Sequence, residues 1–143
     1  MNFSTLNPSA FCKPARSIDP DTYTASANGT SVDCRGFEHA LVVIALNTIS
    51  SSNTGTITIE QSSDDGSSDS FAAISGALYT FTGTDDDAVK AIAVRLHGKE
   101  RYLRAVYTET ATGQSTQISA IFVLMGPQDR SNDQSFSYAA SVL

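Results

Sequence analysis

An antiparallel β-sandwich or jelly roll with an extended arm at each end is the fold this sequence predicts. Three observations predict it. The four prolines, Pro8, Pro14, Pro20 and Pro127, all lie near the ends of the 143-residue chain, and none interrupts the middle. Proline cannot donate to a β-ladder, so a proline-free centre between proline-bearing ends suits a sheet domain. Apolar residues recur with a period of two in segments rich in Thr, Ser, Val and Ile, and no segment carries a helical i, i+3, i+4, i+7 stripe. Gly, Asn and Asp turns punctuate the chain at the short intervals of an all-β domain. These limits divide the chain into an N-terminal arm over 1–20, a sandwich over 21–126 and a C-terminal arm over 127–143.

The elements follow in order. Tyr23–Ser26 and Ser31–Cys34 are expected to form a hairpin around Asn28-Gly29, a pair suited to a type I′ turn. Phe37–Ile49 is a strand with a continuous apolar centre, Leu41 to Leu46, as expected for a sandwich interior or a strand covered on both faces. Thr54-Gly55 is read as a turn into a strand in which Ile57 and Ile59 alternate with Thr56, Thr58 and Glu60. Asp64-Asp65-Gly66 is the next turn, followed by two short strands, Phe71–Ile74 and Leu78–Phe81, on either side of Gly76. Val89–Leu96 alternates again with Ile92, Val94 and Leu96 inward, and His97-Gly98-Lys99 turns the chain. In the strand within Gly98–Thr110, Leu103, Ala105 and Tyr107 share one face while Tyr102, Arg104, Val106 and Thr108 share the other. Ser119–Met125 closes the domain.

Composition narrows the function. A formal net charge of −6 opposes general nucleic-acid binding, which depends on neutralising phosphates. The cations and tyrosines of Gly98–Thr110 also divide between two faces, so they do not form a single stacking platform. No run approaches the roughly 20 apolar residues of a membrane helix, and the first residues lack the basic and apolar regions of a secretion signal. Cys12 and Cys34 fit no metal-ligand spacing, and a reduced pair or a single bridge are both compatible with them.

Catalytic chemistry finds little support. His39 and His97 lack the companions of a zinc motif, and no serine sits in a nucleophile motif. The loops 63–69 and 84–87 are dense in carboxylates but lack the ligand order of a calcium loop. A carbohydrate- or calcium-binding module is the alternative from another class, although the chain has no Trp for sugar stacking. The domain is read as non-enzymatic, with no cofactor.

Charge and arms point to assembly. Glu60 to Asp87 holds seven acids and no base, and Arg95, Lys99, Arg101 and Arg104 follow within ten residues. Those cations and the acids Asp64, Asp65, Asp85, Asp86 and Asp87 are expected to make structural or intersubunit salt links. Phe3, Leu6 and Phe11 in the first arm, and Phe136, Tyr138, Val142 and Leu143 in the second, are expected to fold on a partner.

Five stretches occur in an informative order: Thr30-Ser-Val-Asp-Cys, Gly36-Phe-Glu-His-Ala-Leu-Val-Val, Ile59-Glu-Gln-Ser-Ser-Asp-Asp-Gly, Gly98-Lys-Glu-Arg-Tyr-Leu-Arg and Ser119-Ala-Ile-Phe-Val-Leu-Met-Gly-Pro. Over about residues 28–127 this series resembles a group of small virion proteins of tailed bacteriophages. Gln61-Ser62 stands where the group has Glu-Ser, and Glu100 interrupts a Lys-Arg pair. The resemblance implies a capsid cement or decoration protein on the virion exterior. It would be made in the host cytoplasm, be built as a homo-oligomer such as a trimer, and clamp major capsid subunits. A neck or tail subunit is the alternative within the virion.

Overall fold

The computed structural model describes residues 12–50, 52–110 and 113–127. Among the described residues nine strands run β1 (Cys12–Tyr23), β2 (Ala27–Asn28), β3 (Val32–Asp33), β4 (Phe37–Ile49), β5 (Thr54–Ser62), β6 (Ala72–Thr82), β7 (Val89–Arg95), β8 (Tyr102–Glu109) and β9 (Thr116–Pro127). One sheet has the order β1-β9-β4-β7; the other runs β2-β8-β5-β6, with β3 also on β8. Every pairing is antiparallel. With β2 and β3 taken as one interrupted strand, this is the jelly-roll arrangement of two packed four-stranded sheets. The first and last of the described strands, β1 and β9, lie side by side within it.

The alternation expected for the strands becomes the core. Ala40, Val42, Ile44 and Leu46 of β4 point inward, as do Ile118, Ala120, Phe122 and Leu124 of β9. They meet Ile57 and Ile59 of β5, Phe81 of β6, and Leu103, Ala105 and Tyr107 of β8. Each strand contributes every second side chain because β geometry turns successive residues to opposite faces.

Four expectations are corrected, one of them at Thr54-Gly55, which begins strand β5 and forms no turn. The arm placed over 1–20 is too long, because Cys12–Pro20 belongs to β1, paired along β9 from Cys12↔Met125 to Tyr23↔Thr116. Pro14 and Pro20 are tolerated because β1 is an edge strand, which leaves one side of its backbone without a ladder partner. The hairpin around Asn28-Gly29 does not form; β2 and β3 both lie against β8, and neither Asn28 nor Gly29 has positive φ. Finally, the two short strands around Gly76 are one strand, β6. It bulges at Gly76 (φ 79°), where the register shifts between Thr58 and Glu60 of β5.

Gly29 serves a different purpose from a turn. Its N–H donates to the Ala105 carbonyl at 2.8 Å. Beside it the buried Ser17 hydroxyl donates to the Thr30 carbonyl at 2.8 Å and accepts from Ala105 N–H at 3.0 Å, joining β1 of one sheet to β8 of the other. A Cβ at Gly29 would lie 2.4 Å from Ser17 Oγ and 2.6 Å from Ala105 O. Gly29→Ala is therefore expected to cost about 1–3 kcal/mol by overpacking against backbone. Thermal melting checks it, and an unchanged midpoint would contradict the crowding.

Candidate interaction surface

Each sheet also has an outer face, and the two faces differ in chemistry. On β2-β8-β5-β6 the outward residues are mainly polar. Thr56 and Thr80 share a hydroxyl hydrogen bond of 3.1 Å, and Glu60 stands directly opposite Arg104. Arg104 donates from Nε (2.9 Å) and Nη2 (2.8 Å) to Glu60 Oε2, with its guanidinium 4.2 Å from the Phe71 ring centre.

The outer face of β1-β9-β4-β7 is apolar across its centre. The register aligns Pro14, Val123, Leu41 and Ala93 in one row across the four strands. The next row is Arg16, Ile121, Val43 and Ala91, and the one after continues with Ser119, Ala45 and Val89. Cys12, Met125, His39 and Arg95 form the row at the other end, so most of the charge sits on the rim. Among the described residues the exposed large apolar side chains are Leu78, Val89 (69% exposed) and Ile121 (41%), and two of the three lie on this face. A contiguous apolar centre with a polar rim is the anatomy of a protein-binding face.

The expected salt-link residues divide three ways. Arg101 and Arg104 are paired within the domain, but with Asp33 and Glu60 rather than with the acidic loops. Arg101 grips Asp33 with both ends of its fork (3.0 and 2.7 Å) and lies 4.8 Å from the Tyr102 ring centre. Arg95 and Lys99 are exposed and make no ion pair among the described residues.

The acids mostly hold their own turns. Asp64 accepts the N–H groups of Asp69 (3.1 Å), Ser68 (2.7 Å) and Ser67 (3.0 Å), which lower its pKa, the Asp69 bond most. Asp65 takes positive φ in that turn. Asp85 accepts from Thr82 N–H and the Tyr79 hydroxyl and pairs with Lys90 at 3.2 Å. Asp86 accepts from Ile49 N–H, and Asp87 takes positive φ. The arm residues Phe3, Leu6, Phe11, Phe136, Tyr138, Val142 and Leu143 lie outside the described residues.

Two measurements probe these pairs. Arg104→Ala strips a half-buried carboxylate of both hydrogen bonds and uncovers Phe71, an expected loss of about 1–3 kcal/mol. A melting point equal to wild type would show the pair to be idle. Asp33 has its pKa held below the ordinary 3.8, first by the hydrogen bond from Arg101. A carboxylate with a depressed folded-state pKa adds stability above its unfolded pKa and loses it as pH falls through the folded value. The Asp33 contribution is accordingly present at neutral pH and disappears below the ordinary aspartate range. Arg101→Ala is expected to raise the Asp33 pKa towards 3.8, read by NMR titration.

Sites for chemistry are sparse. His39, His97, Glu38 and Arg95 surround a shallow hollow at one end of the apolar face. Among the described residues no three His, Cys, Asp or Glu side chains group closely enough to hold a metal ion, and no helix is long and apolar enough to cross a membrane. No disulfide joins Cys12 to Cys34. The Cys34 thiol is buried against the Val32 carbonyl, and burial pushes its pKa up to about 12, far from that of a reactive thiolate.

No protein-family model matches the chain, and no curated protein matches it either. Among solved structures, the crystal structure of PBSX exported protein XepA is similar, with a TM-score of 0.50 over 97% of this chain at 16% identity. This chain spans 44% of that one, and the likeness is one of fold.

Proposed function

We propose that the protein is a structural component of a tailed-bacteriophage virion, a non-enzymatic capsid cement or decoration protein. The observation that carries the reading is the apolar outer face of β1-β9-β4-β7, which a free domain would leave in water. In this reading the face docks on the outer surface of major capsid subunits. The arms, with Phe3, Leu6 and Phe11 at one end and Phe136, Tyr138, Val142 and Leu143 at the other, extend the contact to neighbouring subunits. The protein would be made in the host cytoplasm and act as a homo-oligomer, a trimer being the expected form. Many modest contacts per oligomer then add through multivalency and resist the pressure of packaged DNA.

The ordered motifs over residues 28–127 support a virion role, and the jelly roll supplies a rigid block from which two arms can emerge. The net charge of −6 favours a protein partner over direct contact with DNA. Reconstruction of purified particles, with the copy number per particle, tests the proposal. Density outside the shell in proportion to the major capsid subunit is expected. A few copies at one vertex would indicate the neck or tail subunit instead.

A further inference from the structure

Among the described residues the two sheets have four edges, and three of them are blunted. β1 carries Pro14 and Pro20 and two register shifts. The β2/β3 edge is interrupted, and β6 bulges at Gly76. Breaks of this kind stop an edge from templating another strand. β7 has none. It pairs with β4 without a register shift from Val89 to Arg95 and contains neither proline nor glycine. Of the two charges within it, Lys90 is turned aside to Asp85 at 3.2 Å and lies 5.5 Å from the Tyr79 ring centre, and Arg95 stands exposed at the far end of the strand. The exposed Val89, Ala91 and Ala93 therefore end the apolar rows at an edge that no other strand covers among the described residues.

The chain contains a segment with matching chemistry. Residues 136–142, Phe-Ser-Tyr-Ala-Ala-Ser-Val, place Phe136, Tyr138, Ala140 and Val142 at alternate positions. That is the period of a strand with one apolar face, and Phe136–Ala140 is long enough to lie along Val89–Ala93 of β7. The segment follows Gln128 to Ser135, a wholly polar spacer. Eight residues can span roughly 26 Å when extended, enough to leave one domain and reach an adjoining one.

We infer that residues 136–142 of a neighbouring copy add to the free edge of β7 as an antiparallel strand. Phe136 and Tyr138 then lie beside Ala93 and Ala91, large side chains against small ones, and Ala140 lies beside Val89. Main-chain hydrogen bonds supply affinity and the alternate side chains supply register, as in other strand-addition complexes. Each copy closes the edge of the next, and the apolar face widens by one strand. This inference rests on the reading of the protein as an assembled subunit.

Two full-length variants test it, one carrying Val89→Cys and the other Ala140→Cys. They are mixed and oxidised, with the wild-type chain as the control for Cys12 and Cys34. A reducible band containing one chain of each variant is expected, absent from the control. A third variant carrying both substitutions is oxidised alone, and a link that forms only there, within single chains, would overturn the exchange between copies. No link in either sample would overturn strand addition altogether. Light scattering on the same samples separates this failure from that of the assembly reading: an unlinked multimer refutes only the strand, whereas a monomer refutes both.

Discussion

Ile121→Asp is expected to abolish attachment to capsid shells while leaving the domain folded. Ile121 stands mid-row between Arg16 and Val43 on the apolar face, 41% exposed, with its neighbours Ala120 and Phe122 turned into the core. In the free domain the new carboxylate reaches water, so melting should change little, as for most surface substitutions. In the docked state the charge would be buried against an apolar contact, costing several kcal/mol. A loss of about 3 kcal/mol already weakens binding more than a hundredfold. Co-sedimentation with purified shells measures it, and Thr58→Asp on the opposite sheet serves as the control expected to bind normally. Equal binding by both variants would remove the apolar face from the docking site.

Tyr107→Ala is expected to be the most damaging single truncation for stability, at about 3–5 kcal/mol. The Tyr107 ring is fully buried, stacks on Phe81 at 5.9 Å and 20°, and meets the edge of Tyr23 at 6.1 Å and 67°. Gly55 exists to admit this group: a Cβ there would lie 2.4 Å from the Phe81 ring and 2.7 Å from that of Tyr107. Removing the ring leaves a cavity framed by two sheets that cannot collapse independently. Tyr107→Phe is the informative companion. The hydroxyl's contacts to Asn53 and Thr116 are both 3.4 Å, while Asn53 keeps its 2.6 Å bond to Thr116. The hydroxyl is therefore worth no more than about 1 kcal/mol. Urea unfolding of both variants gives the comparison, and similar losses would shift the weight from the ring to its hydroxyl.

Where local chemistry determines structure, the strands were legible in the sequence. Phe37–Ile49 is β4 residue for residue, and the two faces of β8 divide as alternation requires, with Leu103, Ala105 and Tyr107 buried. Features that depend on what a segment meets in space were not legible. Pro14 and Pro20 argue against a strand unless it lies at an edge, and edge position is a property of the whole sheet. Asn28-Gly29 and Thr54-Gly55 have the composition of turns, yet both glycines are required by close tertiary approach. Arg104 finds Glu60 through the β5–β8 register, whereas proximity in sequence had suggested the acidic loops.

The apolar outer face had a signal that local reading assigned to the interior. A continuous run such as Leu41 to Leu46 asks for cover on both sides of a strand. The second sheet covers Val42, Ile44 and Leu46, while Leu41, Val43 and Ala45 still face outward. The uncovered half of that run is the part of the fold that an assembly would complete.

The adjacency of β1 and β9 gives the molecule a polarity. Because Cys12 pairs with Met125, the two ends of the described domain emerge side by side at one pole. The loops around Asn53 and Gly113 mark the other pole, where β4 passes into β5 and β8 into β9. The chain therefore enters and leaves the described domain at the same pole, and bulky groups attached at Cys12 and Met125 would crowd one another. An insertion intended to stay clear of both belongs in the distal loops.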